Sequence, residues 1–88
     1  MNWAYEFTPR AKQDLHELPQ AIQKRVMRVL KTMETNPFQG DVKILAGPAW
    51  SGVFRRRMGS YRLLFTADHT KHIISVVQIV VRSEKTYR

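Results

Sequence analysis

The segment Val53–Arg62 constrains the fold of this 88-residue chain most strongly, because a tight turn at its centre fixes how it pairs with itself. Gly59 and Ser60 separate two runs of strand-forming residues. Glycine at the first of two central positions is typical of a type II′ β-hairpin turn, since it accepts the positive φ that this turn needs. The resulting register places Arg57 directly opposite Arg62.

The predicted hairpin divides its side chains between two faces, since successive residues of a strand point in opposite directions. Directly opposed like charges destabilise a sheet by about 0.2–1 kcal/mol. A chain that keeps the Arg57 and Arg62 pair therefore indicates a bound anion, most commonly nucleic-acid phosphate. The alternative is that these arginines splay apart into water. One face carries Phe54, Met58, Tyr61, Leu63 and Phe65, and the other carries Arg55, Arg57, Arg62 and Leu64.

The net charge of +8 lies almost entirely in the second half of the chain. Residues 1–42 hold six Lys and Arg against five Asp and Glu, whereas residues 43–88 hold nine against two. Four of these nine cations fall on predicted strands and none on a predicted helix, which favours nucleic acid over a lipid surface as the partner. No apolar run approaches the roughly 18 residues of a membrane span. We therefore expect a cytoplasmic protein with no membrane partner.

The first third of the chain predicts a strand followed by two helices. Trp3–Phe7 alternates as a half-buried strand does, and Thr8 with Pro9 is a typical helix start. Pro19 separates the two helices, and Asn36 with Pro37 ends the second. The apolar positions of the first helix are Ala11, Leu15 and Leu18, and those of the second are Ile22, Val26, Val29, Leu30 and Met33.

The rest of the chain predicts three strands, Ser51–Arg57, Tyr61–Thr66 and His72–Val81, of which the last is expected to be central and buried on both faces. Val42–Gly47 is interpreted as a short turn or bent segment. Residues 1–88 are therefore predicted to form a single α+β domain of order β-α-α-β-β-β. A helical hairpin packs on one face of a mostly antiparallel four-stranded sheet and leaves the arginine face open. Arg56 points with the apolar set, so it is expected near the sheet edge.

Several motifs, taken in order, resemble the RelE/ParE superfamily of toxins from type II toxin–antitoxin pairs. Val42–Gly47 is similar to the K-x-L-x-G motif of that superfamily. Phe54–Phe65 resembles its W-R-x-R-x-G-x-Y-R-x-x-Y segment, and Arg82–Arg88 is similar to its basic tail ending in Y-R. Many members carry Gly-His or Gly-Lys-Arg after the last strand, where this chain has Val80–Ser83. A histidine-based mechanism is therefore not expected.

The resemblance implies one of two activities. RelE-like members are endoribonucleases that cut mRNA in the ribosomal A site, and ParE-like members poison DNA gyrase. The RelE-like branch is favoured here, with a cognate antitoxin, mRNA and the ribosome as partners. By position, Arg62 corresponds to the arginine of the Y-R motif and Tyr87 to the C-terminal tyrosine, while Arg55 and Arg57 correspond to basic residues on the preceding strand. Gyrase is the partner only in the ParE-like alternative, and a non-enzymatic nucleic-acid-binding module is the third possibility.

The chemistry implied by the RelE-like branch is metal-independent attack of the RNA 2′-OH on the adjacent phosphate. Arg57 and Arg62 would stabilise the dianionic phosphorane through bidentate guanidinium contacts. Tyr87 is the candidate general base, and Lys85 is among the cations that would lower the pKa of its hydroxyl. Tyr87 could instead stack on a base or pack on the sheet edge.

The remaining predicted site residues have a positioning role. Contacts to the nucleic-acid backbone hold a substrate without reading its sequence, and their alternative is plain solvation. Neither the histidines nor the carboxylates, Asp41 among them, form a metal-binding set or an acid pair, so no cofactor and no metal are expected. The predicted backbone contacts are Lys43, Arg56, Arg82 and Arg88.

Overall fold

The computed structural model describes residues 2–81, which form two helices and a five-stranded mixed sheet. No helix in this range is both long and apolar enough to cross a bilayer. The helices are α1 (Pro9–His16) and α2 (Gln20–Met33), and a 3₁₀ turn spans Pro48–Trp50. The strands are β1 (Ala4–Phe7), β2 (Val42–Ile44), β3 (Phe54–Met58), β4 (Tyr61–Asp68) and β5 (Ile73–Val81).

The helical hairpin begins and turns as the sequence predicts. The Thr8 hydroxyl accepts a hydrogen bond from the Ala11 N–H at 3.2 Å, and Pro9 occupies the first turn. The same hydroxyl donates to the Val77 carbonyl at 3.2 Å, so the start of α1 is tied to the sheet. In the turn between the helices, the Leu18 carbonyl accepts a hydrogen bond from the Gln23 amide of α2 at 2.9 Å.

The sheet has the strand order β1-β5-β4-β3-β2, in which β1 and β5 are parallel and all other pairs are antiparallel. The predicted α+β class and mostly antiparallel sheet are confirmed, but the predicted count of four strands is wrong. The segment interpreted as a turn contains β2, which pairs with β3 from Val42↔Arg56 to Ile44↔Phe54. A three-residue strand has no periodicity of its own to detect, because it forms only against its neighbour.

One face of the sheet, here called the helix face, is buried against α1 and α2. The core joins Val26, Leu30 and Met33 of α2 to apolar residues of β3, β4 and β5, of which Phe65 is fully buried. The central strand of the order is β4, so the expectation for β5 is wrong. The residues of β5 also alternate between buried and partly exposed positions, so β5 is not buried on both faces. A bulge between Leu64 and Phe65 shifts the alternation, and the buried positions of β5 are Ile74, Val76 and Ile79.

The second half of β5 extends beyond the end of β1, and α1 covers its edge. The Asp14 carboxylate accepts a hydrogen bond from the Ile79 N–H at 3.0 Å and is also 3.3 Å from the Arg10 guanidinium. An edge strand otherwise leaves its N–H groups available for pairing with another chain. A carboxylate of the helix layer thus satisfies a donor of the sheet.

The β3–β4 hairpin has the predicted turn and register. Met58 pairs with Tyr61 and Arg57 with Arg62. Gly59 has a φ of +59°, while Ser60 is not among the described residues with positive φ, as a type II′ turn requires. The Arg25 guanidinium of α2 covers the turn, since Nη1 would be 3.0 Å from a Cβ at Gly59.

Replacement of the turn glycine is expected to destabilise the protein through the backbone. Gly59→Ala forces a left-handed φ on a residue with a Cβ, which costs about 1–2 kcal/mol of the free energy of unfolding. Arg25 can move aside, so the contact adds little. Urea unfolding measures the effect, with Ser60→Ala as the control that changes stability by less than about 0.5 kcal/mol. Equal stabilities of Gly59→Ala and the wild type would contradict the turn assignment.

The β4–β5 turn contains a carboxylate whose contribution depends on pH. Hydrogen bonds from the Lys71 and Thr70 N–H groups, each 3.0 Å, and nearby positive charge hold the pKa of Asp68 below its ordinary value of 3.8, with the Lys71 bond the largest cause. A carboxyl group whose pKa is lower in the folded state than in the unfolded state stabilises the fold when it is ionised. The stabilisation is complete above the unfolded-state pKa and is lost as the pH falls through the folded-state pKa.

The melting temperature of Asp68→Ala should therefore lie below that of the wild type at about pH 7, with a smaller gap at about pH 3. Thermal unfolding followed by circular dichroism at both pH values measures it. A gap of constant size would show that the charge of Asp68 does not contribute.

Candidate functional site

The sheet face opposite the helices carries a compact array of charged side chains, here called the basic face. Cross-strand pairing places the charged residues, together with three uncharged ones, in two adjacent rows. The rows run across the sheet to β5, one from β2 and the other from the residue just before it. Directly opposed side chains have Cβ atoms about 4.5–5.5 Å apart, so each member is in reach of its neighbours. The first row is Lys43, Arg55, Leu64 and Gln78, and the second is Asp41, Arg57, Arg62 and Val80.

The strands bring four of the predicted site residues together, namely Lys43, Arg55, Arg57 and Arg62. The placement of the arginines on the face away from the helices agrees with the sequence analysis. Exposure is unequal across the array. Lys43 is exposed and Arg62 is half-buried, whereas the side chains of Arg57 and Arg55 are 33% and 11% exposed. The exposure of the cationic side chains therefore differs across the face, and Arg55 is the most buried of them.

Leu64 is 4% exposed although it points away from the helices. Its direct cross-strand neighbours are Arg55 on one side and Gln78 on the other. The methylene stem of an arginine covers apolar surface while its guanidinium keeps polar partners. The burial of Arg55 and that of Leu64 thus belong to the same packing arrangement.

Asp41 is the site residue that the sequence analysis missed. Its carboxylate lies 3.3 Å from Arg55 Nη1 and 3.9 Å from Arg57 Nη1, and its backbone carbonyl accepts the Arg57 N–H at 3.0 Å. The residue lies in the neutral half of the chain and just before a strand with no periodic signal. No local pattern could have placed it beside two arginines that are 14 and 16 positions away.

Arg56 does not join the other arginines. It lies on the helix face, and its Nη1 donates to the Gln39 carbonyl at 2.7 Å, close to Gly40. Its position with the apolar set agrees with the sequence analysis, and its strand β3 lies next to the edge strand β2. The structure thus separates Arg56 from Lys43, with which the sequence analysis grouped it.

The tail residues predicted for the site, Arg82, Lys85, Tyr87 and Arg88, lie outside the described residues. Their roles as general base, neighbouring cation and backbone contacts stay predictions. The part of the chain from residue 2 to 81 supplies the arginine half of the predicted site and one carboxylate.

Comparison with known proteins gives one family and a consistent fold. Residues 5–86 match the family model described as the ParE toxin of the type II toxin–antitoxin system parDE. A protein of Methanocaldococcus jannaschii, provisionally named toxin RelE1, is 29% identical over 91 residues, which cover 100% of this chain and 98% of that protein.

Two solved structures have the same architecture. One is the toxin–antitoxin complex RelBE2 from Mycobacterium tuberculosis, whose matching chain is 28% identical with a TM-score of 0.83, over 93% of this chain and 100% of that one. The other is the archaeal RelE–RelB complex from Pyrococcus horikoshii, at 22% identity and a TM-score of 0.80, over 96% and 99% of the two chains. The second likeness is one of fold alone.

The unequal burial of the arginines predicts unequal effects on stability. Arg55→Ala removes both a charge-assisted hydrogen bond and the stem beside Leu64, so we expect a loss of about 1–3 kcal/mol in the free energy of unfolding. Arg57→Ala removes a longer, more exposed ion pair and relieves the repulsion with Arg62, so its cost is below about 1 kcal/mol. Chemical denaturation of both variants makes the comparison. A larger loss for Arg57→Ala would contradict the arrangement described.

Proposed function

This chain belongs to the ParE toxin family of type II toxin–antitoxin systems, and on that premise we propose that it is an endoribonuclease that cleaves mRNA at the ribosome. The observation that carries the proposal is the direct opposition of Arg57 and Arg62 on a sheet face that also holds Lys43 and Arg55. The helices cover the other face, so this one is left to receive a ligand.

The proposed reaction is a transfer within the RNA strand. The 2′-oxygen bonds to the adjacent phosphorus as its proton passes to a base, and the bond from phosphorus to the 5′-oxygen breaks as that oxygen gains a proton. The products end in a 2′,3′-cyclic phosphate and a 5′-hydroxyl. Negative charge grows on the phosphoryl oxygens in the transition state, where fixed guanidinium groups are most effective.

Three residues of the basic face have a proposed part in this reaction. Arg57 and Arg62 hold the phosphoryl oxygens, since a planar guanidinium gives two parallel hydrogen bonds to a phosphate. Lys43, exposed at the outer strand, contacts a neighbouring phosphate. Tyr87 remains the proposed base and Lys85 its proposed neighbour. His69 and His72 lie in the turn between β4 and β5, and His16 ends α1, so none of these histidines joins the arginines.

Arg56 is withdrawn to the helix face, so a backbone contact from it would form outside the basic face. Arg82 and Arg88 are proposed to contact RNA from the tail. The partners proposed for the protein are mRNA, the ribosome and a cognate antitoxin. The antitoxin is supported by the solved relatives, which are toxin–antitoxin complexes.

A gyrase poison is the second candidate, and the match to a model named for ParE favours it. In that case the basic face would bind protein or DNA and no RNA would be cut. A non-enzymatic binding module would share the same face and leave its nucleic acid intact, with affinity that falls steeply with salt. The opposed arginines are better suited to a single phosphate than to an extended protein surface.

The test is cleavage of mRNA on programmed ribosomes by the purified toxin. Arg57 and Arg62 together form the proposed phosphate clamp. Arg62→Ala should lower the single-turnover rate by about 100-fold or more, because it removes one of these two guanidinium groups. Arg28→Ala is the matched control, since Arg28 is an exposed arginine of α2 on the helix side. It should cleave at the wild-type rate. Thermal unfolding of each variant shows that the fold is kept.

Undiminished cleavage by Arg62→Ala would refute the role given to Arg62. A wild-type toxin that inhibits gyrase supercoiling and leaves mRNA intact would replace the proposed function with the second candidate.

A further inference from the structure

We propose that Asp41 is a positioning residue of the basic face, which orders Arg57 for the reaction and at the same time weakens the binding of RNA. The inference rests on the proposed function, because it assigns Arg57 to the reacting phosphate. It also makes Arg55 a fixed counter-charge that orients Asp41, in place of the direct catalytic part that the family resemblance implies for it.

The two ion pairs of Asp41 are unequal, and the inequality defines the roles of the two arginines. Arg55 is within hydrogen-bond distance at 3.3 Å and its side chain is 11% exposed, so its position is set by packing. Arg57 is 3.9 Å from the second carboxylate oxygen, beyond a hydrogen bond, and is 33% exposed. A guanidinium has five N–H donors, so Arg57 is held by charge while its donors remain available to a ligand.

The carboxylate of Asp41 is not needed for the strand pairing that surrounds it. The bond that extends the β2–β3 ladder runs from the Arg57 N–H to the Asp41 backbone carbonyl, which any residue would supply. The side chain is 46% exposed and belongs to no apolar cluster. Its charge is therefore free to act on the basic face.

The charge of Asp41 has two opposing consequences. It offsets part of the repulsion between the directly opposed Arg57 and Arg62. It also places a negative charge at the rim of a surface that binds phosphate, which reduces the attraction of every nearby cation for RNA. Loss of the charge should therefore strengthen binding and impair the reaction.

The experiment compares binding and reaction in Asp41→Asn, which keeps the size of the side chain and removes its charge. Affinity is measured by fluorescence anisotropy with a labelled single-stranded RNA oligonucleotide, and the rate by single-turnover cleavage of mRNA on ribosomes. We expect the Kd to fall by about 3- to 10-fold at low salt. We expect the rate to fall by about 10-fold or more, since a displaced catalytic group is costly.

Two further variants separate the effect of position from that of total charge. Glu17→Gln removes one negative charge from an exposed site at the end of α1, and both its Kd and its rate should stay at wild-type values. Asp41→Glu keeps the charge at the rim and should keep the wild-type Kd.

Opposite changes in affinity and rate for Asp41→Asn support the proposal, because a merely structural role would weaken both. A loss of both, a gain of both, or no change overturns it. If the wild-type toxin cleaves no RNA, the proposed function fails. The Kd of Asp41→Asn for the RNA oligonucleotide then tests the effect of the Asp41 charge by itself. Tighter binding by Asp41→Asn still supports a charge that opposes phosphate, and an unchanged Kd refutes it.

Discussion

The register of the β3–β4 hairpin is the constraint on which both faces of the sheet depend. A slip of one residue would turn Arg57 and Arg62 into the core and expose Met58 and Tyr61. Gly59 prevents that slip, because its positive φ closes a two-residue turn in one register. The same turn therefore fixes the apolar set against the helices and the cationic set on the opposite face.

The helices pack on one side of the sheet and leave the basic face on the other side uncovered. Asp14 and Thr8 reach across from α1 to backbone groups of β5, so the strand beyond the end of β1 has partners within the chain. Within the basic face, the Asp41 carboxylate places a negative charge beside Arg55 and Arg57.

The sequence predicts those parts of the fold that neighbouring residues determine, and it does not predict those that depend on contacts between distant segments. The cap at Thr8 and the hairpin turn are encoded by adjacent residues, and both are confirmed. β2 is a three-residue strand that forms only against β3, and the sequence alone predicts a short turn or bent segment there. This error extends to the site, since the position of Asp41 beside Arg57 depends on the pairing of β2 with β3.

The chain belongs to a toxin family, and the proposal of mRNA cleavage and its alternative, poisoning of gyrase, differ in the chemistry that the basic face performs. The chemical ends of the cleaved RNA test that chemistry most directly, because they record which oxygen attacked the phosphorus. Mass spectrometry of mRNA fragments made by the purified toxin on ribosomes should find 2′,3′-cyclic phosphate and 5′-hydroxyl ends. Intact mRNA, or fragments with 3′-hydroxyl and 5′-phosphate ends, would contradict a phosphate clamp that serves attack by the RNA 2′-OH.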